Sequence, residues 1–260
     1  MRILISNDDG INAPGLLKLK QALDPLGEVL VVAPDRERSG TGHGITVHKP
    51  LRPKQISFSD GTTGWSVNGT PADCVKLGIE ALMDDTPDIV ISGINWGANL
   101  GTDVLYSGTV SAAIEGIING IPSVAISLAT YENKDFESAA RFAARVVPVI
   151  TENKFQRGCS LININVPPGS PKGVKVTRLG NRRYENVFHK RIDPRGGVYY
   201  WMAGEPKDMT PERPKFDADI DFDAVNNGFI SITPLHFDLT DFNGIGEMEK
   251  IIGLIGESSL

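Results

Sequence analysis

The sequence predicts an α/β fold in which a mostly parallel β-sheet carries helices on both faces. Short apolar runs alternate with amphipathic helical segments along residues 1–166, and this alternation is typical of β-α-β units. The run Val29–Ala33 is continuous and rich in β-branched residues, as expected of a strand covered on both faces. Both observations indicate that the sheet is buried between two layers of helices.

Length and composition agree with a globular protein that needs no disulfide or metal to fold. The 260 residues allow one large or two small domains, and 40% of them are hydrophobic. The net charge of -6 argues against binding a nucleic-acid polymer, which requires a basic surface. A small anionic substrate stays possible, because a bound divalent cation can dominate the local field.

The two cysteines, Cys74 and Cys159, do not form a Cys-x-x-Cys motif, so we interpret both as small buried apolar residues. The sequence contains no signal-peptide pattern. It also contains no apolar run of the roughly 18 residues that a membrane span requires. We therefore expect a cytoplasmic protein that does not contact the membrane.

Strand and helix boundaries follow from apolar periodicity and from end signals. The first strand, Ile3–Ile5, stops at two aspartates and a glycine. A helix begins at Pro14 and ends at Gly27, and Thr70 begins another as an N-cap. Further helices are expected over residues 110–118 and 136–150. Further strands are expected at Val29–Ala33, Ile45–Val47, Gln55–Phe58, Trp65–Val67, Asp88–Gly93, Ser123–Leu128 and Leu161–Val166.

The pattern changes near Gly180, where alternation becomes polar. The turn 193–197 precedes the aromatic run Tyr199–Trp201, which predicts an antiparallel hairpin. We expect residues 181–235 to form a projecting segment and residues 246–256 to form a terminal helix. The hairpin could be an arm that contacts another subunit or a cap over the site.

Three polar loops should meet at the carboxyl edge of the sheet, where open α/β sheets bind ligands. The first contains Asp8 and Asp9, and paired carboxylates suit Mg²⁺ or Mn²⁺. The second spans 33–44, in which glycines let backbone amides approach an anion, Ser39 offers an oxygen, and Arg36 or Arg38 could pair with phosphate.

The third loop, 93–101, holds the amide side chains of Asn95 and Asn99, which are further possible metal ligands. It continues into Ser107 at the start of a helix, where free N–H groups favour a phosphate. Each loop also has a purely structural interpretation: an Asx turn, a flexible turn or an N-cap. His43 is the one histidine in these loops, and the sequence favours a bystander role for it over a role in proton transfer.

Familiar catalytic motifs are absent from the sequence. The spacing of Gly40, Gly42 and Gly44 differs from the G-x-G-x-x-G of dinucleotide-binding folds. Neither a P-loop nor a G-x-S-x-G nucleophile elbow occurs, and no histidine spacing fits zinc.

Five motifs in order resemble the SurE family of survival-protein phosphatases: SNDDG, APDRERSGTGHG, VNGTPADCV, SGINWGANLG and YSGTVSAAIEG. The resemblance covers essentially the whole chain and implies a single domain, 1–260, with a Rossmann-like three-layer α/β/α core. It also implies a metal-dependent nucleotidase that hydrolyses nucleoside monophosphates. C-terminal arms exchanged between subunits would give a homodimer or homotetramer.

Carried onto this chain, the resemblance implies one divalent cation, Mg²⁺ or Mn²⁺, per subunit. Its implied metal ligands are Asp8, Asp9, Ser39 and Asn95. The implied phosphate-binding residues are Gly40, Ser107, Gly108 and Thr109. Catalysis would then involve Asp8, Asp9 and Asn95, with either aspartate as proton acceptor and His43 as a candidate general acid.

Two other functions compete with this hypothesis. One aspartate could act as a covalent nucleophile, although phosphatases of that kind show a D-x-D pattern and here the acids are adjacent. A phosphorylation-dependent receiver module also places two acids after its first strand. Such a module needs a phospho-accepting aspartate at another strand end, where this chain has Asn95.

Overall fold

The computed structural model describes residues 1–152, 161–185, 187–209 and 218–255. The helices are α1 (Pro14–Leu23), α2 (Pro71–Leu77), α3 (Gly108–Ile118), α4 (Glu137–Glu152), α5 (Asp221–Asn226) and α6 (Phe242–Ile255). A 3₁₀ turn extends α1 over Asp24–Leu26, a π-helical turn extends α2 over Gly78–Leu82, and a second 3₁₀ turn spans Gly101–Leu105.

The strands of the first half are β1 (Arg2–Ser6), β2 (Glu28–Pro34), β3 (Lys54–Ser57), β4 (Thr63–Val67), β5 (Ile89–Trp96), β6 (Ser123–Leu128) and β7 (Leu161–Val166). Those of the second half are β8 (Val174–Arg178), β9 (Arg182–Glu185), β10 (Phe188–Ile192), β11 (Val198–Met202), β12 (Glu205–Asp208), β13 (Asp219–Ile220) and β14 (Ile230–Leu235).

Ten strands form one sheet in the order β13-β8-β14-β7-β6-β5-β1-β2-β4-β3. Neighbours are parallel except for β3 with β4 and β14 with β7. Ile3 and Ile5 pack on one face, in a cluster that includes residues of α1 and α4, whereas Leu4 packs on the other face with Val75 of α2. The three-layer α/β fold predicted from the sequence is therefore confirmed.

The centre of the sheet contains a topological switch point. Strand β1 lies between β2 and β5. The chain runs from β1 through β2 to β4 in one direction, and from β5 through β6 to β7 in the other. Loops that follow β1 and β5 therefore diverge and leave a crevice at the carboxyl edge, where sheets of this kind bind ligands.

Two of the predicted strands differ from the structure by more than their end residues. Strand β5 extends past Gly93 to Trp96, because a register shift after Ser92 lets Asn95 pair with Ser127 of β6. Residues 45–47 form no strand. The backbone N–H of Thr46 instead donates to the Asp73 carboxylate at 2.9 Å. This hydrogen bond replaces the one that a neighbouring strand would accept.

The segment 181–235 is divided between the main sheet and smaller sheets. Strand β14, which we expected to project, lies between β8 and β7 because its apolar residue Ile230 packs in the core. Strands β10 and β11 form a separate antiparallel pair, and β9 pairs with β12. Every residue of β10 and β11 is exposed. We refer to residues 181–209 as the arm.

The terminal helix α6 begins at Phe242, four residues before the predicted start, and residue 256 lies outside the described residues. Cys74 is a buried free thiol, and Cys159 also lies outside the described residues. Among the residues that the structure describes, no helix is long and apolar enough to cross a membrane.

Candidate active site

A cleft of about 430 Å³ opens at the switch point, among the loops that follow β1, β2 and β5. Its volume falls within the range of small-molecule sites. Seven of the predicted site residues line it: Asp8, Asp9, Ser39, Gly40, Asn95, Asn99 and Ser107. The three loops that we predicted to converge therefore meet at this cleft.

Asp8 is the most enclosed acid of the cleft, with 5% of its surface exposed. Its Oδ1 accepts a hydrogen bond from the hydroxyl of Thr109, in the first turn of α3, at 2.5 Å. Burial raises the pKa of Asp8 to about 6, against the lowering effect of the Thr109 hydrogen bond and with a further contribution from the charge of Asp9. Without a cation, this carboxylate is therefore costly to ionise.

Asp9 is partly buried and connects the two central strands. Its Oδ2 accepts a hydrogen bond from the backbone N–H of Trp96 at 3.2 Å, which ties the loop after β1 to the end of β5. Burial raises the pKa of Asp9, opposed by the Trp96 hydrogen bond and assisted by the charge of Glu37. The two adjacent carboxylates are thus held by different donors, Asp8 by the Thr109 hydroxyl and Asp9 by the Trp96 backbone N–H.

The neutral oxygens of the cleft are oriented by their own hydrogen bonds. The side-chain Nδ2 of Asn95 donates to the carbonyl of Gly97 at 2.7 Å, so the amide oxygen is the group left for a ligand. The hydroxyl of Ser39 donates to Oε1 of Glu37 at 2.7 Å. Its proton is used in that bond, and its lone pairs are left as acceptors.

The predicted phosphate-binding residues fall into two groups. Gly40 and Ser107 line the cleft, and Ser107 also caps α3 by accepting from the N–H of Val110 at 3.0 Å. Gly108 and Thr109 do not line it. They lie behind Asp8, and a Cβ on Gly108 would come within 2.7 Å of the Asp8 Cβ. The structure thus gives these two residues contacts with Asp8.

His43 and Asn99 differ in position. His43 does not line the cleft, and its Nε2 lies 2.9 Å from Oε2 of Glu115, a buried acid of α3. Asn99 lines the cleft and is fixed there, because its backbone N–H donates to Asn165 and its Nδ2 donates to Ser127, both at 2.8 Å. The location of His43 gives no support for a role as general acid.

Of the two arginines in the second loop, Arg38 pairs with Asp35 at 3.0 Å, and neither Arg36 nor Arg38 lines the cleft. Four carboxylates do line it: Asp8, Asp9, Glu37 and Asp103. Among the described residues that line the cleft there is no lysine or arginine. A phosphate dianion could not bind beside these charges without a cation.

The donor set fits a hard divalent cation. Two adjacent carboxylates, a hydroxyl and an amide oxygen are the ligand types that Mg²⁺ and Mn²⁺ prefer. No group of three or more His, Cys, Asp and Glu residues suited to a metal occurs among the described residues. A cation in this cleft would therefore take part of its protein shell from the neutral oxygens of Ser39 and Asn95.

The cleft residues that were not among the predicted site residues include Glu37, Asp103, Tyr131 and Tyr184. The spacing of Glu37 and Ser39 could have indicated Glu37, because a carboxylate two positions away can accept a hydrogen bond from the serine hydroxyl. No local signal identified Tyr184, which belongs to the arm strand β9 and comes from a distant part of the chain.

The fold and the cleft define an α/β protein of the Rossmann-like class, with an acidic ligand site at the switch point of its sheet. The family profile described as "Survival protein SurE" matches residues 3–186. The chain belongs to the SurE family.

Its relatives include the "5'-nucleotidase SurE" of Pelotomaculum thermopropionicum, 58% identical over 97% of this chain and 95% of that protein. The "5'-nucleotidase SurE" of Desulforudis audaxviator is 56% identical over 96% of this chain and 97% of that protein. The crystal structure of the SurE protein from Aquifex aeolicus is similar with a TM-score of 0.80 and 41% identity, covering 97% of this chain and 100% of that chain.

Proposed function

We propose that this protein is a divalent-metal-dependent phosphomonoesterase that hydrolyses nucleoside monophosphates to nucleoside and inorganic phosphate. The observation that carries the proposal is the meeting of Asp8, Asp9, Ser39 and Asn95 in one acidic cleft beside the N-terminus of α3. The two relatives described above are 5'-nucleotidases by name, which supports the same reaction.

In this proposal Asp8, Asp9, Ser39 and Asn95 hold one Mg²⁺ or Mn²⁺ ion per chain. When bound, such a cation polarises the phosphoryl group and lowers the pKa of water. The chain itself supplies the geometry: Thr109 fixes Asp8, the backbone N–H of Trp96 fixes Asp9, and Gly97 orients the Asn95 amide.

The phosphate would lie between the cation ligands and the start of α3. There the dipole of α3 favours an anion, and Ser107 lines the cleft at the start of that helix. Asp9 is the better placed of the two acids to accept the proton of the attacking water. It is less buried than Asp8, which is already engaged by the Thr109 hydroxyl.

The decisive experiment measures phosphate release from the common 5'- and 3'-nucleoside monophosphates with Mg²⁺, with Mn²⁺ and with a chelator. We expect turnover only with a cation, and loss of at least about a hundredfold in kcat for Asp9→Asn, as found for groups that stabilise developing charge. Full activity in chelator, or in Asp9→Asn, would refute the assignment. Trapping of a phospho-aspartate would favour the covalent mechanism instead.

We also propose that the arm joins subunits into a homodimer or homotetramer. The two faces of the β10–β11 hairpin are exposed and carry large apolar side chains, among them Phe188, Trp201 and Met202 at 62%, 65% and 72% exposure. Exposed apolar surface of this kind marks an interaction site. A reducing compartment such as the cytoplasm is proposed as the location, supported by the free thiol of Cys74.

A further inference from the structure

The cleft has an inner half and an outer half of different chemistry. Inner residues are polar and nearly buried, with Asp8 at 5% and Ser107 at 6% exposure. The outer half presents tyrosine rings to solvent: Tyr106 is 67% exposed, Tyr131 71% and Tyr184 41%. A ligand whose anionic end reaches the inner half must therefore place its other end among these rings.

Tyr131 is held against the strand that carries Asn95. A Cβ on Gly97 would lie 2.4 Å from Cε1 of Tyr131, so the ring packs directly on the glycine backbone. The Trp96 and Tyr131 rings meet edge to face, with their centroids 6.0 Å apart. Lys134 Nζ lies 4.1 Å from the Trp96 centroid. Trp96 thus supports Tyr131, and the Trp96 ring itself is already packed against Tyr131 and Lys134.

Tyr184 enters the cleft from the arm and is held by charged neighbours. Arg182, in the same strand β9, pairs with Asp103 at 3.2 Å, and the hydroxyl of Thr102 donates to the carbonyl of Arg182. Burial, together with a hydrogen bond to the Asp103 carboxylate and its negative charge, raises the pKa of Tyr184 to about 12. Tyr184 therefore stays neutral over the physiological pH range.

The start of the arm is fixed to the cleft by a buried carboxylate. Asp221 is fully buried, and it accepts hydrogen bonds from the backbone N–H groups of Gly101 at 2.7 Å and of Gly180 at 3.0 Å. Gly101 begins the turn that carries Asp103 toward the cleft, and Gly180 lies just before β9. The two segments that supply Asp103 and Tyr184 are thus held together by one side chain.

We propose that Tyr106, Tyr131 and Tyr184 form the subsite for the nucleobase of the substrate, an inference that rests on the proposed function. Aromatic side chains stack on every base, since each base has a π-face. The inner half takes the phosphate, so the base extends to the tyrosines. A subsite built from rings selects a leaving group that carries a planar base, and it tolerates different bases. Purines bind more tightly than pyrimidines because they offer more stacking area.

Calorimetry with adenosine, which lacks the phosphate and needs no cation, tests this subsite directly. We expect wild-type protein to bind adenosine and Tyr106→Ala to weaken binding about tenfold, within the range for loss of one stacking partner. Tyr106→Phe keeps the ring and retains wild-type affinity. Phe237→Ala is the matched control, because Phe237 is 49% exposed and does not line the cleft. No adenosine binding, or equal affinity in Tyr106→Ala, would overturn the proposal.

A kinetic comparison separates this inference from the reaction itself. The ratio of kcat/KM for adenosine monophosphate to that for glycerol phosphate, which has no base, falls about tenfold in Tyr106→Ala through a higher KM for the nucleotide. An unchanged ratio would reject the base subsite while leaving the phosphatase in place. If neither ester is hydrolysed by wild type, the proposed function fails, and adenosine binding still decides the subsite.

Discussion

The hydroxyl of Thr109 donates a hydrogen bond to Oδ1 of Asp8 at 2.5 Å. This contact joins the first turn of α3 to the loop after β1, two segments that are distant in sequence. Asp8 is nearly buried and its ionised form is disfavoured by that burial. Thr109 therefore stabilises the charged form of the acid, and it also fixes the direction in which the second oxygen can bind a cation.

Replacement of Thr109 tests this role. Thr109→Val keeps the shape but removes the donor, which leaves a buried carboxylate short of a hydrogen bond at a cost of about 1–3 kcal/mol. We expect cation affinity to fall about tenfold or more, and Thr109→Ser to restore it. Isothermal titration with Mn²⁺ measures the change. Equal affinity in Thr109→Val and wild type would show that the contact is incidental.

Gly108 is expected to accept no side chain. An alanine Cβ would lie 2.7 Å from the Asp8 Cβ. No side-chain rotation can relieve this contact, because the backbone fixes the positions of both Cβ atoms. Because a misplacement of about 1 Å can cost a hundredfold in rate, Gly108→Ala should lower kcat by one to two orders of magnitude. The control is Gly246→Ala in helix α6, where no atom lies within 4 Å of the new methyl group. Wild-type kcat in Gly108→Ala would contradict the packing argument.

The raised pKa of Asp8 predicts how the metal-free protein responds to pH. An acid whose pKa is about 6 in the folded protein and about 3.9 when unfolded binds its proton more tightly when folded. The contribution of Asp8 to the free energy of unfolding is therefore highest below about pH 4, falls between pH 4 and pH 6, and stays reduced above that. The loss is at most about 3 kcal/mol.

Urea denaturation in chelator, at pH 5 and at pH 8, measures this effect. We expect Asp8→Asn to be more stable than wild type at pH 8, because it removes the buried charge, and the difference to shrink at pH 5. Saturating Mn²⁺ should reverse the order by stabilising only wild type. A variant that is less stable than metal-free wild type at pH 8 would show that the Asp8 charge is well compensated without a cation.

The exposed arm hairpin predicts self-association. Trp201 is 65% exposed on β11, and Trp201→Ser should shift the sedimentation coefficient toward the monomer by removing an aromatic anchor of the interface. Leu239→Ser is the control, since Leu239 is 88% exposed but lies outside the hairpin. A monomeric wild-type protein at micromolar concentration, or an unaltered profile for Trp201→Ser, would argue against the arm as the contact.

Much of the core could be predicted because its strands are continuous apolar runs. The predicted bounds of β6 and β7 agree with the structure at every residue, and the α/β class and SurE membership are confirmed. Local pattern was insufficient at the end of β5. There Gly93 and Asn95 resemble a loop, yet a register shift keeps Asn95 paired with Ser127 of β6.

The candidate site was predictable where its residues follow a strand directly, as Asp8 and Asp9 do. Long-range partners were not predictable. Asp103 and Arg182 are 79 positions apart, and they meet where Asp221 and the Thr102 hydroxyl hold the flanking backbone segments together. The contacts of Thr109 with Asp8 and of His43 with Glu115 depend likewise on where α3 lies relative to the loop after β1 and to the second loop.

Equilibrium binding of Mn²⁺, followed by electron paramagnetic resonance, tests the central claim most directly. The proposal predicts one ion per chain in wild type and a loss of affinity of more than about a hundredfold in Asp9→Asn, beyond the 10- to 100-fold typical of residues that only orient ligands. Asp103→Asn, which removes a charge of the same cleft outside the ligand set, should keep the ion. Tight binding in Asp9→Asn, or no bound ion in wild type, would contradict the cation site.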